Sequence, residues 1–298
     1  MKNTTLENGF AETSSANVKH KNSVFNLLFS DPDVLRELYS AIEGVTLPSD
    51  IPVTINTLQN VFFMGIYNDI SFEIGGKIVV LIEHQSTINP NMALRFLMYI
   101  SRIYETIVEG SRLYSSKKVT IPRPEFYVLY NGKKDFPDKT IIKLTDLFED
   151  ADLLGVSADI PALELEVKVL NINEGRNADI TGRCRILEGY SILIGKIREY
   201  QEEGMPLEVA IPKALQYCVK HGILSEFLTK NSSGVIGMLM TEWNWDDALE
   251  VRYNEGIEIG EQRILNLLKS GKSPEEIITN YGKEGKLIGS SLTQNNLE

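Results

Sequence analysis

Residues 68–86, NDISFEIGGKIVVLIEHQS, place two carboxylates and an amide at what should be the deep end of a β-hairpin. Two apolar runs flank Gly75-Gly76, a pair suited to a tight turn. Asp69 stands at the start of the first run, and Glu83, His84 and Gln85 follow directly on the aliphatic residues of the second. Strand alternation puts Glu83 and Gln85 on one face and His84 on the other. Asp69 joins the Glu83 face in only one of two registers. A two-residue loop, Gly75-Gly76, sets Asp69 against Ile82; a three-residue loop, Gly75-Gly76-Lys77, sets Ile74 against Ile78 and Asp69 against Glu83. The longer loop calls for a positive φ at its last residue, a role that suits Lys77 poorly. The sequence allows either.

In the second register, two neighbouring carboxylates repel each other unless a proton or a cation lies between them. Two oxygen donors with open positions for water suit Mg²⁺, which is rarely caged by protein alone. A cation held there lowers the pKa of a bound water and offsets charge developing on a phosphodiester. A neighbouring amide can then orient the water or contact the phosphate. In the other register the same acids are ordinary strand-end residues facing solvent.

The elements that must position this hairpin are legible around it. Segment 22–44 has helical spacing, divided at Asp31-Pro32, with Asp31 capping the second helix and Pro32 at its first position. Segment 89–110 reads as a helix with Asn89 as N-cap and Pro90 next. PEFYVLYNG (124–132) reads as a strand closing on an Asn-Gly turn, KTIIKLTDLF and 161–173 as further extended segments. From about 176 the pattern is helical, with breaks expected at Gly204, Gly222 and Ser232-Ser233-Gly234. Within 242–271, Ile257, Ile264, Leu265 and Leu268 line one side of a long helix, an oligomerisation or packing face, and Trp243 and Trp245 serve to anchor it. The fold class is α/β, with a disordered arm over 1–18, a core domain over 19–204 and a helical region over 205–298.

Bulk properties narrow the function classes. No apolar run approaches the ~20 residues needed to cross a bilayer, and the polar N-terminus lacks the apolar middle of a signal peptide. Cys184 and Cys218 lack metal-ligand spacing and read as reduced core thiols in a cytoplasmic protein. A net charge of −11 weighs against an extended nucleic-acid surface. Basic clusters nevertheless occur at Lys19-His20-Lys21, at Lys117-Lys118 with Arg123, and at Lys133-Lys134.

Asn68-Asp69-Ile70-Ser71-Phe72 followed by Leu81-Ile82-Glu83-His84-Gln85-Ser86 resembles the Rpn family of recombination-promoting nucleases, also described as putative transposases, within the PD-(D/E)XK nuclease superfamily. The likeness extends to HKNSVFNLLFSDPD, NPNMALRFLMYISRIYE, PRPEFYVLYNG, LEGYSILIGKIREY and TEWNWDDALEVRYNEG, roughly residues 19 to 260. The resemblance implies a restriction-endonuclease-like core, a mixed central sheet flanked by helices, and a Mg²⁺-dependent (or Mn²⁺-dependent) DNA endonuclease with a transposase-like role in recombination. Carried over residue by residue, Asp69 and Glu83 match the metal-binding acids. Gln85 stands at the superfamily's lysine, and the backbone carbonyl of His84 faces the metal.

Arg95 and Tyr99, four apart on the following helix, are accessory candidates that reach phosphate or the motif acids. Asn22 stands where members often carry Asp; an amide brings no charge to a metal, so a second metal site is disfavoured. DNA is the implied partner, with phosphate attracted by Lys19, Lys21, Lys117, Lys118, Arg123 or Lys133. The competing reading is a catalytically attenuated DNA-binding or assembly protein on the same fold, favoured by Asn22 and the acidic balance.

Overall fold

The computed structural model describes residues 23–56, 69–149 and 161–279, and the backbone alone over 245–253. The expected arm (1–18), Lys19, Lys21, Asn22 and the Trp245 side chain lie outside the described residues. Two compact units are formed, Met1–Met240 and Thr241–Glu298, and each is treated by itself.

In the first unit the near-continuous aliphatic run of Ile78–Gln85 becomes a central strand whose aliphatic residues are buried on both faces. In chain order the elements are α1 (Val24–Leu28), α2 (Pro32–Glu43), β1 (Val53–Ile55), β2 (Ile70–Ile74), β3 (Ile78–Gln85), α3 (Met92–Ile107), β4 (Arg123–Tyr130) and β5 (Lys139–Lys143). Then come β6 (Glu166–Asn171), α4 (Ala178–Thr181), α5 (Arg185–Glu202), α6 (Leu207–Lys220) and α7 (Ser225–Lys269). Six strands form one mixed sheet in the order β1-β2-β3-β4-β6-β5. β3, β4 and β6 run parallel at its centre, and β1, β2 and β5 join antiparallel.

Local sequence explains most of the helix ends. Asp31 caps α2 through its side chain, Pro32 takes the first turn, and Gly44 ends the helix in the left-handed region at φ 68°. α3 buries Met92, Ala93, Phe96, Tyr99, Ile100 and Ile103, the 3–4 spacing of one apolar stripe, against Val79, Leu81, Val128, Tyr130 and Val167 of the sheet. Phe96 is fully buried there, and truncating it to Ala should cost about 3–5 kcal/mol. The opposite sheet face meets α1, α2 and α5, through His84 against Phe25 and Tyr190 and through Tyr127 against Glu43.

Two local expectations are corrected. α3 starts at Met92 with Asn91 as N-cap, not at Asn89. Asn89 instead forms a turn, its Oδ1 accepting from the Asn91 N–H at 2.9 Å and its carbonyl from the Met92 N–H at 3.2 Å. β4 does end where expected, at Tyr130 directly before Asn131-Gly132, beside two parallel neighbours. The break expected at Ser232-Ser233-Gly234 falls one residue earlier, at Asn231. α7 is two helices that meet there at a kink (φ −119°), where Asn231 Nδ2 donates to the Phe227 carbonyl at 2.9 Å.

The breaks at Gly204 and Gly222 do occur, both with positive φ. Cys184 and Cys218 are free and buried, and burial pushes their thiols up to about 12 and about 11. Among the described residues no helix is long and apolar enough to cross a membrane. In α7, Ile257, Ile264, Leu265 and Leu268 are exposed, whereas Trp243 is buried.

Candidate active site

The hairpin adopts the three-residue loop. Ile74 pairs with Ile78, Ser71 with Leu81 and Ile70 with Ile82, so the residue before Ile70 lies opposite Glu83. The difficulty foreseen at Lys77 is resolved upstream. Gly75 and Gly76 carry the positive φ values, 56° and 68°, and the Lys77 N–H closes the turn on the Ile74 carbonyl at 3.0 Å. Lysine therefore needs no left-handed backbone.

Asp69 sits at the mouth of β2, and its Oδ2 accepts from the backbone N–H of His84 at 2.8 Å. Glu83 is 4% exposed on the α3 face of β3. Its Oε2 meets Arg95 Nη2 at 3.3 Å, while its Oε1 is buried without a hydrogen-bond partner. Burial, and after it the negative charge of Asp69, pushes the Glu83 carboxyl up to about 8. At neutral pH this carboxyl holds its proton, and nearby positive charge favours its ionised form.

α3 supplies part of it. Arg95 lies one helical turn before Tyr99, and its Nε and Nη2 donate to the Tyr99 hydroxyl at 3.1 and 2.7 Å. Burial opposes the guanidinium's charge, but Glu83 and Tyr99 outweigh it and hold the group above the usual arginine value. Arg95 and Tyr99 are thus brought to the motif acid, across elements rather than along the helix. Gln85, on the Glu83 face, is held at both ends: its Nε2 donates to Met92 Sδ at 2.9 Å, and its Oε1 accepts from the Asn89 N–H at 3.2 Å. Arg95 Nη1 reaches the same sulfur at 3.4 Å, so Gln85 and Arg95 share Met92 as a neighbour.

The His84 ring points to the other face. It stacks on Phe25 (4.6 Å between centroids, 14° between planes), and a ring nitrogen lies 3.2 Å from the Tyr190 hydroxyl. Burial, with Arg198 nearby, pulls it down to about 4, so the ring stays neutral.

The basic candidates do not share one place. Arg123 opens β4 opposite Ile78, five residues down the strand from Glu83, or about 17 Å, and is ion-paired with Glu125. Lys117 and Lys118 precede that strand and are exposed. Lys133 stands at the other end, just past β4 and close in the chain to the residues beside Gln85. Sequence reasoning missed Met92 and Asn89, which fix Gln85, and also Arg176 and Arg198, which follow β6 and lie on α5 respectively. The usable signal was positional: in open α/β sheets, residues just past the carboxyl ends of parallel strands gather at one crevice.

The donor set fits a hard divalent cation. Glu83 Oε1 is an oxygen without a partner, Asp69 is the second acid, and Mg²⁺ commonly takes only one or two protein carboxylates with water completing its shell. Among the described residues there is no cluster of three or more His, Cys, Asp or Glu able to hold a metal, so a cation at this pair would have two protein carboxylates.

Residues 66–201, just under half of the chain, match the family described as "Putative transposase, YhgA-like". The match bears out the resemblance read from the hairpin, over a narrower span than 19–260, and it includes Asp69, Glu83, Gln85, Arg95 and Tyr99. No curated protein and no solved structure matches the chain.

Proposed function

We propose that the chain is a metal-dependent DNA endonuclease on a PD-(D/E)XK-type core, with a transposase-like role in recombination. The observation that carries this reading is the register that sets Asp69 opposite Glu83 while Glu83 Oε1 lies buried without a partner. Glu83, Asp69 and the His84 carbonyl would hold Mg²⁺ or Mn²⁺. When bound, the cation supplies an activated water and charge neutralisation at the phosphodiester.

The chain's own residues divide the remaining work. The His84 N–H fixes the Asp69 carboxylate. Arg95 offers a guanidinium to the phosphate, the positive charge that Gln85 cannot supply in the place of a lysine. The Gln85 amide, held by Met92 and Asn89, presents a fixed dipole beside it. Plasmid nicking in Mg²⁺, Mn²⁺ and EDTA, run beside Asp69→Ala, tests this reading. Nicking that needs the metal and Asp69 supports it, and nicking indifferent to both opposes it.

One observation favours a second reading, a catalytically attenuated DNA-binding protein. Arg95 already pairs with Glu83, so an internal cation occupies part of the space where a metal would act. Metal-independent DNA binding without nicking in the same assay would select it.

A further inference from the structure

A cleft of about 550 Å³ opens at the carboxyl ends of β4 and β6, within the size range of pockets that hold small ligands. Its charged lining is Lys133, Lys134, Arg176 and Arg198 against Asp135 and Glu202, a local excess of two positive charges in a chain of net −11. Concentrated positive charge on an acidic protein draws anions to one place and repels them elsewhere.

The wall is built rather than incidental. Arg198 Nη1 donates to Asn173 Oδ1 at 2.7 Å, and Nη2 donates to the Asn131 carbonyl at 2.6 Å. These neutral oxygens fix the guanidinium. Arg176 is held by Asp135 at 2.9 Å and Asp138 at 3.2 Å, exposed pairs that solvent weakens and an incoming anion can exchange. Beside Arg198 the Asn131 amide is buried, with neither its oxygen nor its nitrogen hydrogen-bonded.

The cleft also adjoins the acid pair's strand. Asn131 N–H donates to the Gln85 carbonyl at 2.9 Å. Gly132, which lines the cleft, packs so closely on the Ser86 carbonyl and Tyr130 that a Cβ there would collide with both. Only glycine lets the cleft wall lie flush against the segment that follows Gln85.

We propose that this cleft is a phosphate-binding subsite that grips the backbone of the nucleic-acid strand next to the phosphodiester lying at Asp69 and Glu83. Lys133, Lys134 and Arg176 contact the phosphate, and Arg198 is the positioning residue that shapes the wall. The identity of the strand rests on the function proposed above; the phosphate chemistry rests on the cleft alone.

The test is fluorescence anisotropy of a labelled oligonucleotide with the full chain in Ca²⁺, for the wild type, K133E/K134E, R176Q and the conservative K133R/K134R. K133E/K134E should bind at least tenfold more weakly, with a salt slope shallower by roughly 0.7–0.9 for each phosphate that is no longer neutralised. K133R/K134R should bind as the wild type does, and inorganic phosphate should compete. AMP binding as tightly as the oligonucleotide would overturn the strand assignment. Unchanged oligonucleotide binding in K133E/K134E and R176Q would overturn the subsite, and Asp69-dependent nicking would still stand. Abolished binding in K133E/K134E, beside nicking that Asp69→Ala leaves intact, would keep the subsite and remove the active-site reading.

Discussion

Asp69 Oδ2 accepts the backbone N–H of His84 at 2.8 Å, which ties the acid at the mouth of β2 to the residue immediately after Glu83. The bond spans 15 positions of chain and holds only in the register that places both acids at the same level of the sheet. Because side chains alternate along a strand, a one-residue slip would move Glu83 to the other face and put a ring in its place. The hairpin's geometry and the candidate chemistry are therefore one property of the sequence.

The turn that sets this register should be sensitive at its glycines and tolerant at its lysine. Gly76→Ala forces a Cβ into φ 68° and should cost about 1–2 kcal/mol. Gly75→Ala should cost more, since the added carbon also comes to 3.3 Å from Ile51 Cγ2. Lys77→Gly should change stability little, because Lys77 has ordinary backbone angles. Urea unfolding of the three variants would check this order. A Lys77→Gly variant clearly more stable than the wild type would show that the strain lies at the lysine after all.

Arg95 should matter most in the absence of a cation. Arg95→Gln leaves the buried Glu83 carboxyl and the Tyr99 hydroxyl without the guanidinium and should destabilise by about 1–3 kcal/mol. Tyr99→Phe, which removes only the hydroxyl, should cost about 1 kcal/mol. Millimolar Mg²⁺ should restore part of the Arg95→Gln loss, read as a Tm rise larger than that of the wild type. An equal rise in both proteins would mean that the cation does not meet Glu83.

A second carboxylate sets the acid limb of stability. Burial alone would raise the Glu43 pKa, but Lys168 at 2.7 Å and Tyr127 at 2.8 Å outweigh it and lower it below the usual glutamate value of 4.5. Glu125, Arg123 and Tyr39 complete the charged and titratable groups of this cluster. With its folded pKa depressed, Glu43 contributes stability that is fully present above pH 4.5 and is lost as the pH falls through the folded value. Chemical denaturation between about pH 3 and pH 7 should show a shallower acid decline for Glu43→Gln than for the wild type. Parallel curves would remove Glu43 from this role.

Local signals carried much of the fold. Asp31, Pro32 and Gly44 delimit α2 by capping chemistry that involves few residues, and the Gly75-Gly76 turn announces the hairpin. Its register stayed ambiguous because two loop lengths differ by one residue and the sequence places no glycine at 77. The start of α3 lies beyond Asn89, a good cap by type, because Asn89 forms a turn of its own and donates its N–H to Gln85 Oε1 four residues back. The Ser232-Ser233-Gly234 signal locates the interruption of α7 to within one residue, at the Asn231 kink. The candidate site divides in the same way. Asp69, Glu83 and Gln85 were readable from period-two arithmetic and a motif, whereas Arg198 reaches the Asn131 carbonyl across 67 positions and has no sequence signal of its own.

The central claim is that Asp69 and Glu83 together hold one divalent cation. Mn²⁺ binding followed by electron paramagnetic resonance on the full chain tests it most directly, because it reads the ion rather than the reaction. The wild type should take up one Mn²⁺ per chain, displaced by Mg²⁺, and Asp69→Ala and Glu83→Gln should each weaken that uptake at least tenfold while remaining folded by circular dichroism. Mn²⁺ bound equally well by the wild type and both variants would contradict the account.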